Sequence, residues 1–314
     1  MIKIIEHSIN IIMYHYVRPI KGSLYPNLKG LEIKDFENQI NFFNKHFNVI
    51  TQNDFIEILA RKKIPKKPSI LLTFDDGYID HYLYVFPILQ KKKISGIFYS
   101  PVKTIQNKIV LDVNKIHFIL EKELNRKKII NEIYLLIKKK NKEILTKIDI
   151  NKIDLNSRYD DPETILIKKL LQYYLPKKIR QSILNQLFDK VINKDLSSFA
   201  KTLYMNEKNI KEMSQNNMHF GIHGDYHYWW KYLNESDQEK EIKYPIEYYK
   251  KLGIFKDSYS LCFPYGSYNK ITLKLLKKNN IEFALTTSVG SVKNSNINSK
   301  YILPRYDAND FLFL

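Results

Sequence analysis

The chain has 314 residues, is 44% hydrophobic and carries a formal net charge of +18. That length and apolar content suffice for one domain of barrel size, or one with an insertion. A single cysteine, Cys262, excludes an intramolecular disulfide and fits a reducing compartment. No uninterrupted apolar stretch is long enough to span a bilayer, and Met1 to His7 lacks the apolar core and cleavage site of a signal peptide, so a soluble cytoplasmic protein is expected. The charge admits a basic face for nucleic acid, an anionic membrane or a phosphorylated substrate. No Gly-rich phosphate loop, zinc-finger spacing or basic heptad region accompanies it, so a solvated lysine-rich surface is the simpler reading and no nucleic-acid partner is expected.

Ser8 to Val17 is β-branched and aromatic and reads as a first strand ending near His15. Residues 20 to 31, with Gly22, Pro26 and Gly30, read as a loop. Phe36, Ile40, Phe43 and Phe47 recur at helical spacing, Phe47 to Ile50 makes a short strand, and Asn53 or Asp54 caps a helix reaching Leu59 and Ala60. A basic, Pro-broken connector from Arg61 to Pro68 leads into an apolar run, Ser69 to Phe74, that ends in Asp75, Asp76 and Gly77. Read as a strand, it puts both carboxylates at a C-terminal edge, where α/β folds carry their chemistry. Adjacent strand residues point to opposite sides, so the pair needs different tasks or a sharp turn, which Gly77 permits. A metal ion is the usual way to make two neighbouring anions tolerable.

Tyr82, Val85, Phe86 and Leu89 mark the next helix, with Pro87 near one end or kinking it, and Ile94 to Ser100 the next strand. The alternation predicts parallel βαβ units in a barrel or a doubly wound sheet. From about Val102 to Met213 glycine is absent and Leu, Ile and Lys dominate with helical periodicity, so residues 103–213 read as a helical insertion, a cap or a partner surface, within a fold formed by 1–102 and 214–314. The alternation resumes with a strand at Met218 to His223, a helix from about Asp237 to Leu252 and a strand at Tyr259 to Phe263. A turn-rich loop, Pro264 to Asn269, precedes a helix at Ile271 to Lys278 and strands at Phe283 to Thr286 and Tyr301 to Tyr306. About seven βα steps result.

His223 and His227 lie four apart just past a strand, a spacing that brings both imidazoles to one side. Alone the pair is a weak signal. Joined to a carboxylate at another strand's C-terminal edge, it makes an open three-ligand site with room for water.

Thr73-Phe74-Asp75-Asp76-Gly77, His223-x3-His227 and Phe263-Pro264-Tyr265-Gly266, in this order, resemble the polysaccharide deacetylase family, carbohydrate esterase family 4. The insertion and the His-Gly form of the second motif are similar to a subgroup associated with bacterial surface-polysaccharide synthesis. The resemblance implies a distorted (β/α)7 barrel with a large helical insertion. It implies Asp75 as general base, Asp76, His223 and His227 as ligands of a divalent metal, usually Zn2+, and the Tyr265 backbone N–H as an oxyanion donor. Three departures stand out. Gly224 replaces the usual Ser or Thr after the first histidine. Cys262 stands where an arginine often orients the base, with Arg305 as the candidate substitute. No histidine follows His227, so His15 is the candidate acid. Asp225 reads as a solvated turn carboxylate, Cys262 as a small buried apolar residue, and at least two of Tyr226, Tyr228, Trp229 and Trp230 as packing, though the four could stack on a sugar. The expected activity is removal of an N-acetyl or other N-acyl group from an amino sugar in a surface-glycan pathway. The substrate would be nucleotide- or lipid-linked, with peripheral contact at the inner membrane face. The alternative is a catalytically silent glycan-binding or scaffold protein.

Overall fold

All seven residues of β3 (Ser69–Asp75) are buried in the computed structural model, which describes residues 8–62, 65, 67–106, 109–147, 152–255, 258–292 and 299–311. A strand without a polar face is covered on both sides, as in parallel sheets layered by helices. Around it run β1 (Ile9–Tyr14), β2 (Asn48–Val49), β4 (Ile97–Ser100), β5 (His219–Ile222), β6 (Tyr259–Cys262), β7 (Ile281–Leu285) and β8 (Tyr306–Asp307). Their order is β7-β6-β5-β4-β3-β1-β8, with β2 also on β3, and every pairing is parallel. The sheet curls into a half-barrel surrounded by helices, in keeping with the expected barrel class. Residues 1–7, read above for a leader, and residues 63, 64 and 66 of the basic connector lie outside the described residues.

Alternation along the strands separates two cores. Ile12, Tyr14, Ile70, Leu72 and Phe74 join the larger cluster, and Ile9, Ile11, Leu71, Tyr99, Cys262 and Leu285 join a smaller one. Asp75 is in register with Leu71 and Thr73 at the period of two, so it faces the smaller cluster. Strand register then levels the C-terminal ends: Tyr14 pairs Phe74, Asp75 pairs Tyr99, Ser100 pairs Ile222, and Ile222 pairs Leu261. The residues just beyond, His15, Asp76, His223 and Cys262, therefore emerge at one edge.

Helices α1 (Ile33–His46), α2 (Gln52–Leu59), α3 (Phe86–Lys92) and α4 (Val102–Gln106) follow the first four strands. α1 buries Phe36, Ile40 and Phe43, as the spacing predicts. The cap of α2 is Thr51, not Asn53 or Asp54: its hydroxyl accepts from the Asp54 N–H while the Asp54 carboxylate accepts from the Thr51 N–H. A π-helical turn, His81–Val85, runs directly into α3, so Pro87, which donates no N–H, falls where the wider π turn gives way to α-helix. The last strand is shorter than read: Pro304 interrupts it, and only Tyr306–Asp307 pairs with β1.

By compactness the chain forms two units. One comprises residues 1–19, 30–108 and 200–314 and holds the sheet. The other comprises residues 20–29 and 109–199. It is built on α5 (Asp112–Lys122), α6 (Arg126–Lys140), α7 (Glu143–Lys147), α8 (Pro162–Lys169) and α9 (Lys177–Ile192). Its core includes Ile116, Ile133, Ile167, Leu170, Ile183 and Phe188. Residues 20–29 join it through Lys122, which donates to the Leu24 carbonyl, and through Tyr25, edge-on to Phe118 at 4.8 Å. α10 (Leu196–Leu203) leads back to α11 (Glu207–Gln215), and α12 (Glu235–Lys251) and α13 (Lys270–Lys278) complete the sheet-bearing unit. Among the described residues no helix is long and apolar enough to cross a membrane.

Candidate metal centre and active site

The turn after β3 begins one residue earlier than the sequence suggests. Asp76 itself has φ +71°, and Gly77 follows at φ +69°. Two left-handed residues in succession swing the Asp76 side chain out of the strand's alternation, so the paired carboxylates diverge. A Cβ on Gly77 would lie 2.4 Å from Ser100 Oγ, which adds a steric requirement to the conformational one. His227 (φ +60°) and Tyr265 (φ +57°) are left-handed too. Such backbone costs roughly 1–2 kcal/mol per residue and concentrates where surrounding structure has a use for it.

Asp76, His223 and His227 converge. Asp76 Oδ1 is 3.3 Å from Nε2 of each histidine, and all three residues are buried. Oδ1 makes no well-directed hydrogen bond, whereas Oδ2 accepts one from the Tyr78 hydroxyl at 2.6 Å. His223 Nδ1 donates to the Cys262 carbonyl at 2.8 Å, which orients the ring and turns Nε2 toward Asp76. Burial drives His227 down to about 3, so that ring is neutral, the form that binds metals. For His223 burial pulls the same way, but Cys262 and Asp76 together raise it. Two imidazole nitrogens and one carboxylate oxygen around a common point fit a divalent cation such as Zn2+. This is a possible metal-binding triad.

Asp75 faces the other way. Arg305 meets it in a fork, Nη1 to Oδ1 at 2.9 Å and Nη2 to Oδ2 at 2.7 Å. The guanidinium is 1% exposed, and its remaining N–H groups go to the Thr286 carbonyl, Thr73 Oγ1 and Cys262 Sγ. All its donors are thus used, the condition under which a buried ion pair is stable. Burial alone would push the Asp75 carboxyl up; the Arg305 charge and hydrogen bonds bring it down to about 2. Cys262 is more than a small apolar filler, because its thiol also donates to Asp75 Oδ2 at 3.4 Å.

His15 is half-buried just past β1, near enough for its charge to bear on both carboxyls. Its carbonyl accepts from His81 Nε2 at 2.8 Å, and Arg18, three residues on, holds Asp80 through Nε at 2.6 Å and Nη2 at 2.5 Å. The Tyr265 ring sits edge-on to His227 at 4.5 Å and stacks on Trp229 at 4.6 Å. Tyr226 and Tyr228 stack at 5.3 Å, while Trp230 is fully buried core. Asp225 is half-buried beside Lys103, Nζ to Oδ2 3.7 Å, rather than simply solvated; burial raises its carboxyl to about 6 against the pull of Lys103.

A family model for polysaccharide deacetylase matches residues 185–284, a span that contains His223, His227 and Tyr265. YxkH of Bacillus subtilis (strain 168), assigned as a polysaccharide deacetylase, is 27% identical over 99 residues, which span 31% of this chain and 33% of that relative. Among solved structures, the deacetylase PplD of Streptococcus pyogenes, in complex with acetate, superposes with a TM-score of 0.58 at 17% identity, covering 96% of this chain and 93% of PplD. IcaB from Ammonifex degensii gives 0.56 at 15%, covering 95% and 91%. At these identities the structural likeness speaks for the fold.

Four residues around this candidate site went unread in the sequence: Tyr78, Arg18, Asp80 and Glu241. Tyr78 was legible in hindsight as the hydroxyl two residues past Asp76. Asp80 with Arg18, and Glu241 on α12, carried no local signal.

Proposed function

We propose that this chain is a metal-dependent hydrolase that removes an N-acyl group, typically acetyl, from an amino sugar. The reading rests on one observation: a carboxylate oxygen 3.3 Å from two imidazole nitrogens, beside a second carboxylate forked to a buried arginine. A divalent cation held by Asp76, His223 and His227, Zn2+ by donor type, would polarise the amide carbonyl and acidify a water. Asp75 accepts that water's proton. At about 2 it is fully ionised and intrinsically a weak base, so its task suits an already acidic proton, and the Arg305 fork on both oxygens fixes the plane of the carboxylate. The Tyr265 N–H supports the developing oxyanion. His15 delivers a proton to the departing amine, so that the C–N bond breaks to give a neutral amine and a carboxylic acid. The Tyr226, Tyr228 and Trp229 rings offer faces for neighbouring sugars. A cytoplasmic enzyme of this kind, attached peripherally to the inner membrane face, would act on a nucleotide- or lipid-linked precursor of a surface glycan, with residues 103–213 as cap or partner surface. The test is acetate release from N-acetylhexosamine oligomers and nucleotide-linked N-acetylhexosamines. Release is expected to stop with chelator and to fall at least 100-fold in Asp75→Asn; release that survives both refutes the mechanism.

A further inference from the structure

The backbone between the two histidines is held by one carboxylate. Glu241, buried on α12, turns Oε2 toward consecutive peptide groups and accepts from the Asp225 N–H at 2.7 Å and the Tyr226 N–H at 3.2 Å. The loop's carbonyls are taken by the start of α4: Val102 N–H donates to Gly224 at 3.3 Å and Lys103 N–H to Asp225 at 3.0 Å. The loop is therefore fixed from both sides, with Glu241 as the acceptor on one of them. A Cβ at position 224 would lie 2.5 Å from the same Oε2, and Gly224 sits at φ +72°. Gly224 and Glu241 fit one another: the carboxylate occupies the space that a side chain at 224 would need.

We infer that Glu241 is the positioning residue of the histidine loop, setting the placement of His223 and His227 against Asp76, and that glycine at 224 is required by its presence. Two N–H groups converging on one anionic oxygen give charge-assisted bonds, roughly twice as strong as neutral ones, so a short loop is held rigid while its two rings remain free to bind. The inference rests on the proposed reading that Asp76, His223 and His227 hold a cation. Its readout is metal affinity, which a residue that merely supported α12 would not move.

Zinc affinity is measured by competition with a chromogenic chelator, on the full chain stripped of metal and well below each variant's unfolding midpoint. The set is wild type, Glu241→Gln, Glu241→Ala, Gly224→Ala and the Gly224→Ala/Glu241→Ala double variant. Glu241→Ala is expected to weaken zinc binding about 10- to 100-fold, the size typical of partners that orient metal ligands. Glu241→Gln recovers most of the loss, because an amide oxygen still accepts both N–H groups. Gly224→Ala weakens binding less in the Glu241→Ala background than in wild type, a coupling that a double-mutant cycle reads directly. If Glu241→Ala lowers solubility, Glu241→Ser, whose short hydroxyl does not reach the loop, takes its place in the single and the double variant. Wild-type affinity in Glu241→Ala, or effects that simply multiply, overturns the inference alone. A wild-type chain that binds no zinc overturns the metal reading and this inference with it.

Discussion

Tyr78 shows how a single hydroxyl divides the work of a carboxylate. By donating to Asp76 Oδ2 it leaves Oδ1 to the two imidazoles. Its ring is fixed between Tyr16, stacked at 4.0 Å, and Tyr204 at 6.1 Å, so the hydroxyl cannot wander. Tyr78→Phe keeps that packing and deletes one bond. We expect zinc affinity about 10-fold weaker with an unfolding midpoint within a few degrees of wild type; unchanged affinity would show that the rotation of Asp76 is set elsewhere. Arg305 and Cys262 make the same point for Asp75. Neither is near it in sequence, yet both lie on its Oδ2.

At the scale of elements, the stretch after β1 is tied to the turn that opens α3. The Arg18–Asp80 fork and the His81 bond to the His15 carbonyl hold four residues of irregular backbone in place. His81 is fully buried, and burial drives it from 6.5 to about 4. Between those values the unfolded chain holds a proton that the folded chain refuses, so stability falls as pH falls from 6.5 toward 4 and is fully present above 6.5. The gap corresponds to about 3 kcal/mol. Denaturant melts across pH 7 to 4 should show this decline in wild type and a flatter profile in His81→Phe; identical slopes would locate the titration in another group.

For the whole molecule, every donor of the proposed cation site lies in the sheet-bearing unit, on segments more than a hundred residues apart in the chain. A cation joining them stabilises the folded state by mass action, about 4 kcal/mol when free metal exceeds the dissociation constant a thousandfold. Adding chelator to zinc-loaded protein should lower the main thermal transition by several degrees, and His227→Ala should abolish that difference. A midpoint indifferent to chelator in wild type would mean that the triad holds no metal.

Much of this was legible in the chain alone, because it depends on neighbours in sequence. Alternation of apolar runs and helical periodicity fixed a parallel α/β fold, since periods of 2 and 3.6 are local properties of the backbone. The Asp-Asp-Gly, His-x3-His and Pro-Tyr-Gly segments carried the family resemblance and pointed to a candidate metal site through spacing. The cap of α2 is Thr51 rather than Asn53 or Asp54, because all three are good capping residues and only the hydrogen bonds distinguish them. What the chain alone left open was the set of long-range pairings. Arg305 as the partner of Asp75, 230 residues away, Glu241 as the anchor of the histidine loop, and residues 20–29 packing within the helical unit all follow from strand register and from buried polar groups finding partners across the fold. Such pairings leave no periodic trace, so only the folded chain decides them.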